Sequence, residues 1–127
     1  MEPPAPGTAR FAETYLPSLE DLHVLTLCVE QRERWHDAPA VARALGIPRR
    51  AARGALDHLA CSNLLDIRIT GEVRYRFRPV TPELEAQAEA FVAAYRRSPL
   101  EILELIGGAG QRARDVAGAS RNRKDLS

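Results

Sequence analysis

The sequence predicts a mainly α-helical domain with one small β-hairpin. Three observations carry that expectation. Apolar residues recur at helical spacing in several separate stretches between residues 19 and 106. The period changes once, over residues 65–78, to strict alternation. Ile67 and Ile69 precede the turn Thr70-Gly71-Glu72, and Val73, Tyr75 and Phe77 follow it. A length of 127 residues with 45% apolar content suits one domain with a modest core and tails.

Residues 1–17 hold Pro3, Pro4, Pro6, Gly7 and Pro17 and read as a flexible proline-rich arm, from which Phe11, Tyr15 and Leu16 can dock onto a core. Ser18-Leu19-Glu20-Asp21 has the form of a capping box with aspartate in the place of glutamate. Leu19, Leu22, Leu25, Thr26 and Val29 follow at helical spacing, so residues 19–33 are expected as a well-buried helix, with Trp35 packed just past its end. Asp37 then serves as an N-cap and Pro39 as a first-turn residue. Val41, Ala42 and Leu45 form a short stripe, and Gly46 ends it as a left-handed cap. Pro48 opens a third helix on which Ala52, Leu56 and Leu59 face inward. Gly54 in its interior costs about 1 kcal/mol relative to alanine, a cost that close approach to another backbone would explain.

In the hairpin, Arg74, Arg76 and Arg78 alternate with Val73, Tyr75 and Phe77, and Arg68 points opposite to Ile67 and Ile69. Side chains on a strand alternate between faces, so one face is expected dry and the other lined by arginine. Beyond it, Thr81 caps and Pro82 opens a helix with the stripe Leu84, Ala88, Phe91, Val92 and Tyr95. Ser98-Pro99-Leu100-Glu101 is a full capping box that starts another helix, whose Leu100, Leu103 and Ile106 share a face before Gly107 and Gly108. The expected division is an arm at 1–17, a core at 18–80, C-terminal helices at 81–107 and a flexible basic tail at 108–127.

Net charge is only +1, but it is unevenly spread. Residues 49–78 carry seven arginines against three acids, and residues 111–127 carry five cations against two acids; the other segments are acidic. For a polyanion, local field matters more than the total.

Cys28 and Cys61 show no CxxC spacing, and the start MEPPAPGTAR lacks the apolar stretch of a secretion signal. Two reduced, buried and inert thiols in a cytoplasmic protein are expected. No apolar run approaches the roughly 20 residues that span a bilayer. His58 and Cys61 lie three apart on one helix, but two ligands are not a metal site, and no cofactor is expected. GGAG at 107–110 has neither the preceding strand nor the following Lys-Ser/Thr of a phosphate loop. With no nucleophile elbow or paired catalytic carboxylates, nothing in the chain points to an enzyme.

Helix, short helix, glycine turn, helix, arginine-rich hairpin, helix is the layout of a winged helix-turn-helix. Residues 37–59, DAPAVARALGIPRRAARGALDHL, resemble the helix-turn-helix of bacterial transcription regulators. Val41-Ala42 match the apolar-then-alanine pair of its first helix, Leu45-Gly46-Ile47 match the turn, and Leu56 and Leu59 match the later core positions of the recognition helix. Ala52 departs from the valine or isoleucine usual there. The resemblance covers residues 19–79, and the helix at 82–97 is similar to the extra helix of small MarR- or PadR-like regulators.

That resemblance implies a sequence-specific regulator that binds double-stranded DNA, with recognition helix 48–61 in the major groove and wing 65–78 on the backbone. Arg49, Arg50 and Arg53 would contact base edges and nearby phosphates, since arginine bonds guanine O6 and N7 bidentately or grips phosphate. Cations at a helix start oppose the helix dipole, which favours an anionic partner. Arg68, Arg74, Arg76 and Arg78 would contact the backbone. A homodimer is also implied, with residues 82–106 as the interface. The alternative is a winged-helix protein-interaction module that does not bind DNA.

Overall fold

A computed structural model of the chain describes residues 6–106. In order these form α1 (Pro6–Tyr15), α2 (Leu19–Glu30), α3 (Ala38–Leu45), α4 (Arg49–Cys61), β1 (Leu65–Thr70), β2 (Glu72–Phe77) and α5 (Pro82–Arg97). Residues 99–106 add a further helix, α6. The architecture is a winged helix with extra helices, as expected. The tail at 108–127 lies outside the described residues.

The helix starts follow from their caps. The Ser18 hydroxyl accepts from the Asp21 backbone N–H at 3.3 Å and donates to the Asp21 carboxylate at 2.7 Å. The Asp37 carboxylate accepts from the Ala40 N–H at 2.8 Å, and the Thr81 hydroxyl accepts from the Leu84 N–H at 3.1 Å. Each such bond satisfies a donor that the helix leaves orphaned, typically worth about 1 kcal/mol. At the other end of α3, Gly46 adopts φ 65°, a left-handed conformation that glycine takes without a Cβ penalty. That turn sets α3 against α4.

Leu22, Leu25, Leu56, Leu59, Leu64, Tyr75 and Phe91 are among the largest fully buried side chains, so α2, α4, β2 and α5 share one core. The hairpin is antiparallel, with Leu65 opposite Phe77, Ile67 opposite Tyr75 and Arg68 opposite Arg74. His36 and Tyr75 exchange backbone hydrogen bonds of 2.7 and 2.8 Å, which lays the segment after α2 alongside β2.

Several expectations need correction. Residues 6–15, expected within a flexible arm, form α1, which packs on α5 and buries Phe11 and Ala12; Leu16, just beyond it, is also buried. Burying each large apolar side chain stabilises by about 1.5–3 kcal/mol, enough to hold a short helix that would be marginal alone. The dry face of the hairpin is incomplete: Tyr75 and Phe77 are buried, but Ile69 is 72% exposed and Ile67 is also exposed, because the strands run past the end of the core. Leu19 is exposed, and Val24 takes an inward place on α2 instead. On α6 the buried residues are Ile102 and Ile106, one turn apart, while Leu100 is 75% exposed. Cys61 is exposed and only Cys28 is buried. Gly54 lies on the exposed side of α4 with no atom near the place of a Cβ, so no close approach within the described residues accounts for it.

Candidate nucleic-acid interface

The first turn of α4 is its basic end. Pro48 precedes it and offers no side-chain cap, and the first turn contains no acid. Arg49 and Arg50 are both exposed and make no ion pair among the described residues. Uncapped N–H groups and the positive end of the helix dipole therefore coincide with two guanidinium groups. Such an arrangement is costly in isolation and favourable against an anion.

Arg53, one turn further, is engaged differently. Its Nε lies 3.2 Å from the Asp57 carboxylate, four residues on. The other oxygen of Asp57 accepts from the Tyr75 hydroxyl, so one carboxylate joins two points of α4 to β2. Burial, followed by the neighbouring Asp57, pushes the Tyr75 phenol up to about 12.

The outer face of the hairpin holds the arginine row. Like charges directly opposite one another destabilise a strand pair, and Arg68 faces Arg74. The two are drawn apart by different neighbours. Arg74 lies 3.2 Å from the Glu72 carboxylate. Arg68 lies over the Trp35 ring at 4.8 Å from its centroid, and Arg76 lies over the same ring at 4.6 Å. A guanidinium on an aromatic face is held by about 0.5–1 kcal/mol at an exposed site, and its planar N–H edge stays available to a partner. Arg78 follows the strand, exposed and without an ion pair among the described residues.

The predicted residues thus fall into two groups. Arg49, Arg50 and Arg53 share α4. Arg68, Arg74 and Arg76 share the hairpin face opposite to Tyr75; since Tyr75 reaches α4, that row points away from α4. Two contributors escaped sequence reasoning. Trp35 was expected only as a packing residue, and Asp57 carried no assignment. The alternation that separates Tyr75 from Arg74 and Arg76 was visible, but the pairing of His36 with Tyr75 that brings Trp35 to Arg76 was not.

Elsewhere, a cleft of about 430 Å³ lies between α1 and α5, lined in part by Phe11, Tyr15, Ala90 and Phe91. Among the described residues no group of three or more His, Cys, Asp or Glu side chains is placed to hold a metal ion. No described helix is long and apolar enough to cross a membrane.

No protein-family model matches the chain, and neither does any curated protein. Solved structures do. A mutant of MepR from S. aureus is similar over 94% of this chain and 88% of its own, with a TM-score of 0.54 at 13% identity. A "possible transcriptional regulator" from Methanosarcina mazei Go1 is similar over 76% of this chain and 83% of its own, with a TM-score of 0.52 at 14% identity. At such identities the likeness is one of fold, and it agrees with the winged-helix architecture.

Proposed function

We propose that this winged helix binds double-stranded DNA as a transcription regulator in the cytoplasm, with α4 entering the major groove from its N-terminal end. The observation that carries this reading is the uncapped, exposed start of α4 with Arg49 and Arg50 unpaired among the described residues. Those two arginines contact base edges and adjacent phosphates and Arg53 stands behind them on its Asp57 tether, while Arg68, Arg74, Arg76 and Arg78, on the hairpin face turned away from α4, meet backbone phosphates only outside the groove that α4 enters. The kinship in fold with a possible transcriptional regulator is consistent with this role.

The regulator acts as a homodimer, with α5 and α6 at the interface. The exposed Leu100 and the apolar cleft between α1 and α5 support that assignment. Sedimentation at micromolar concentration checks it; a monomer mass counts against it.

The test of DNA binding is fluorescence anisotropy of a labelled random duplex at low and moderate salt. With roughly four to seven phosphate contacts, log affinity falls against log salt with a slope of about −4 to −6. Arg49→Glu with Arg50→Glu abolishes binding. No binding at low salt by the unaltered protein would set the DNA reading aside in favour of a protein partner.

A further inference from the structure

We propose that Trp35 is a positioning residue for the wing, holding the guanidinium groups of Arg68 and Arg76 as a preformed grip for backbone phosphates. The inference rests on the DNA-binding reading and assigns a part in it to a residue that touches no base.

The geometry has three parts. First, Trp35 is anchored through its neighbour: His36 is buried, and its two backbone hydrogen bonds to Tyr75 fix the segment against β2. In that antiparallel pairing Trp35 falls beside Arg76. Second, both guanidinium groups lie within 5 Å of the ring centroid, although Arg68 and Arg76 come from different strands and are not register partners. A single ring therefore gathers two like charges that would otherwise separate. Third, the ring is half-buried and both arginines keep a solvent-facing side, so the grip is formed but not occluded. A long side chain ordered only on binding weakens the complex by the freedom it loses. A side chain already ordered on Trp35 does not.

The chain contains a single tryptophan, so the contact can be read directly. Without DNA, Arg68→Gln with Arg76→Gln uncovers the ring, and acrylamide quenching of its fluorescence rises. Unchanged quenching would mean the arginines do not cover Trp35, and the inference falls. This arm needs no substitution of Trp35 itself.

With a labelled random duplex, Trp35→Leu weakens binding about three- to ten-fold, the order expected for ordering one or two long side chains. Trp35→Phe retains most of the affinity, because phenylalanine still offers a face to guanidinium. In the Arg68→Gln, Arg76→Gln background, Trp35→Leu adds nothing further. Equal weakening in both backgrounds would reveal a merely structural role and overturn the inference. If Trp35→Leu binds as the unaltered protein does, while Arg49→Glu with Arg50→Glu does not bind, only the Trp35 inference fails. Absence of duplex binding by the unaltered protein removes the DNA reading and this inference together.

Discussion

The Tyr75 hydroxyl donates to the Asp57 carboxylate, joining the buried face of β2 to the middle of α4. Asp57 also holds Arg53, so the hairpin and the helix are tied at a charged group rather than by apolar contact alone. Tyr75→Phe keeps the buried ring and removes only the hydroxyl. The expected loss is about 1.5–3 kcal/mol, typical of a hydrogen bond to a charged acceptor. A lower urea midpoint at an unchanged slope would show it; an unchanged midpoint would mean the bond contributes nothing net.

The same contact sets an alkaline limit. The phenol has its pKa raised from 10.0 to about 12 by burial and by Asp57. The folded state therefore holds this proton where the unfolded state has lost it. The associated stability is complete below pH 10 and is lost as pH rises through about 12. Tyr75→Phe flattens that part of the stability profile, which denaturation at a series of alkaline pH values would measure.

Phe11→Ala tests the docking of α1. The ring is buried and lies 5.0 Å from the Phe91 ring on α5, centroid to centroid. Its removal costs about 3 kcal/mol. The loss appears as a lower thermal midpoint and as earlier proteolysis within residues 6–15. A change below about 0.5 kcal/mol, the size of an ordinary surface substitution, would contradict the packing.

The two cysteines differ in reactivity. Burial pushes the Cys28 thiol up to about 12, whereas Cys61 is exposed. A neutral maleimide labels one thiol per folded chain quickly, and peptide mapping finds it at Cys61. The second reacts only as the protein unfolds. Rapid double labelling under native conditions would refute the burial of Cys28.

Gly54→Ala raises stability by about 1 kcal/mol, since a methyl group there meets nothing within 4 Å. Thermal unfolding measures this. If the same change weakens duplex binding, the glycine serves close approach from outside the molecule.

Much of the architecture was legible because its signals are local. Ser18, Asp37 and Thr81 cap helices through bonds three residues long, and Gly46 turns the chain by its own backbone freedom. What failed depended on distance in the chain. Pro3, Pro4, Pro6, Gly7 and Pro17 suggested a flexible arm, yet proline suits a helix start, and Phe11 had its partner, Phe91, far along the chain. Alternation assigned Ile67 and Ile69 to a face but could not show where the core beneath that face stops. In the candidate interface, Arg49 and Arg50 were recognisable from their place at a helix start. The contacts of Asp57 with Tyr75 and of Trp35 with Arg68 and Arg76 run between elements, which no spacing rule encodes.

The clasp of α1 on α5 orders events during synthesis. α1 leaves the ribosome before its docking surface has been made, and a ten-residue helix has little stability in water by itself. The segment from α2 to β2 contains the caps, the turn and the hairpin, so it can condense first on mostly short-range contacts. Only when Phe91 has emerged does Phe11 find the ring it packs against. Until then Phe11 is a solvent-facing apolar group on the nascent chain, the kind of surface that chaperones bind.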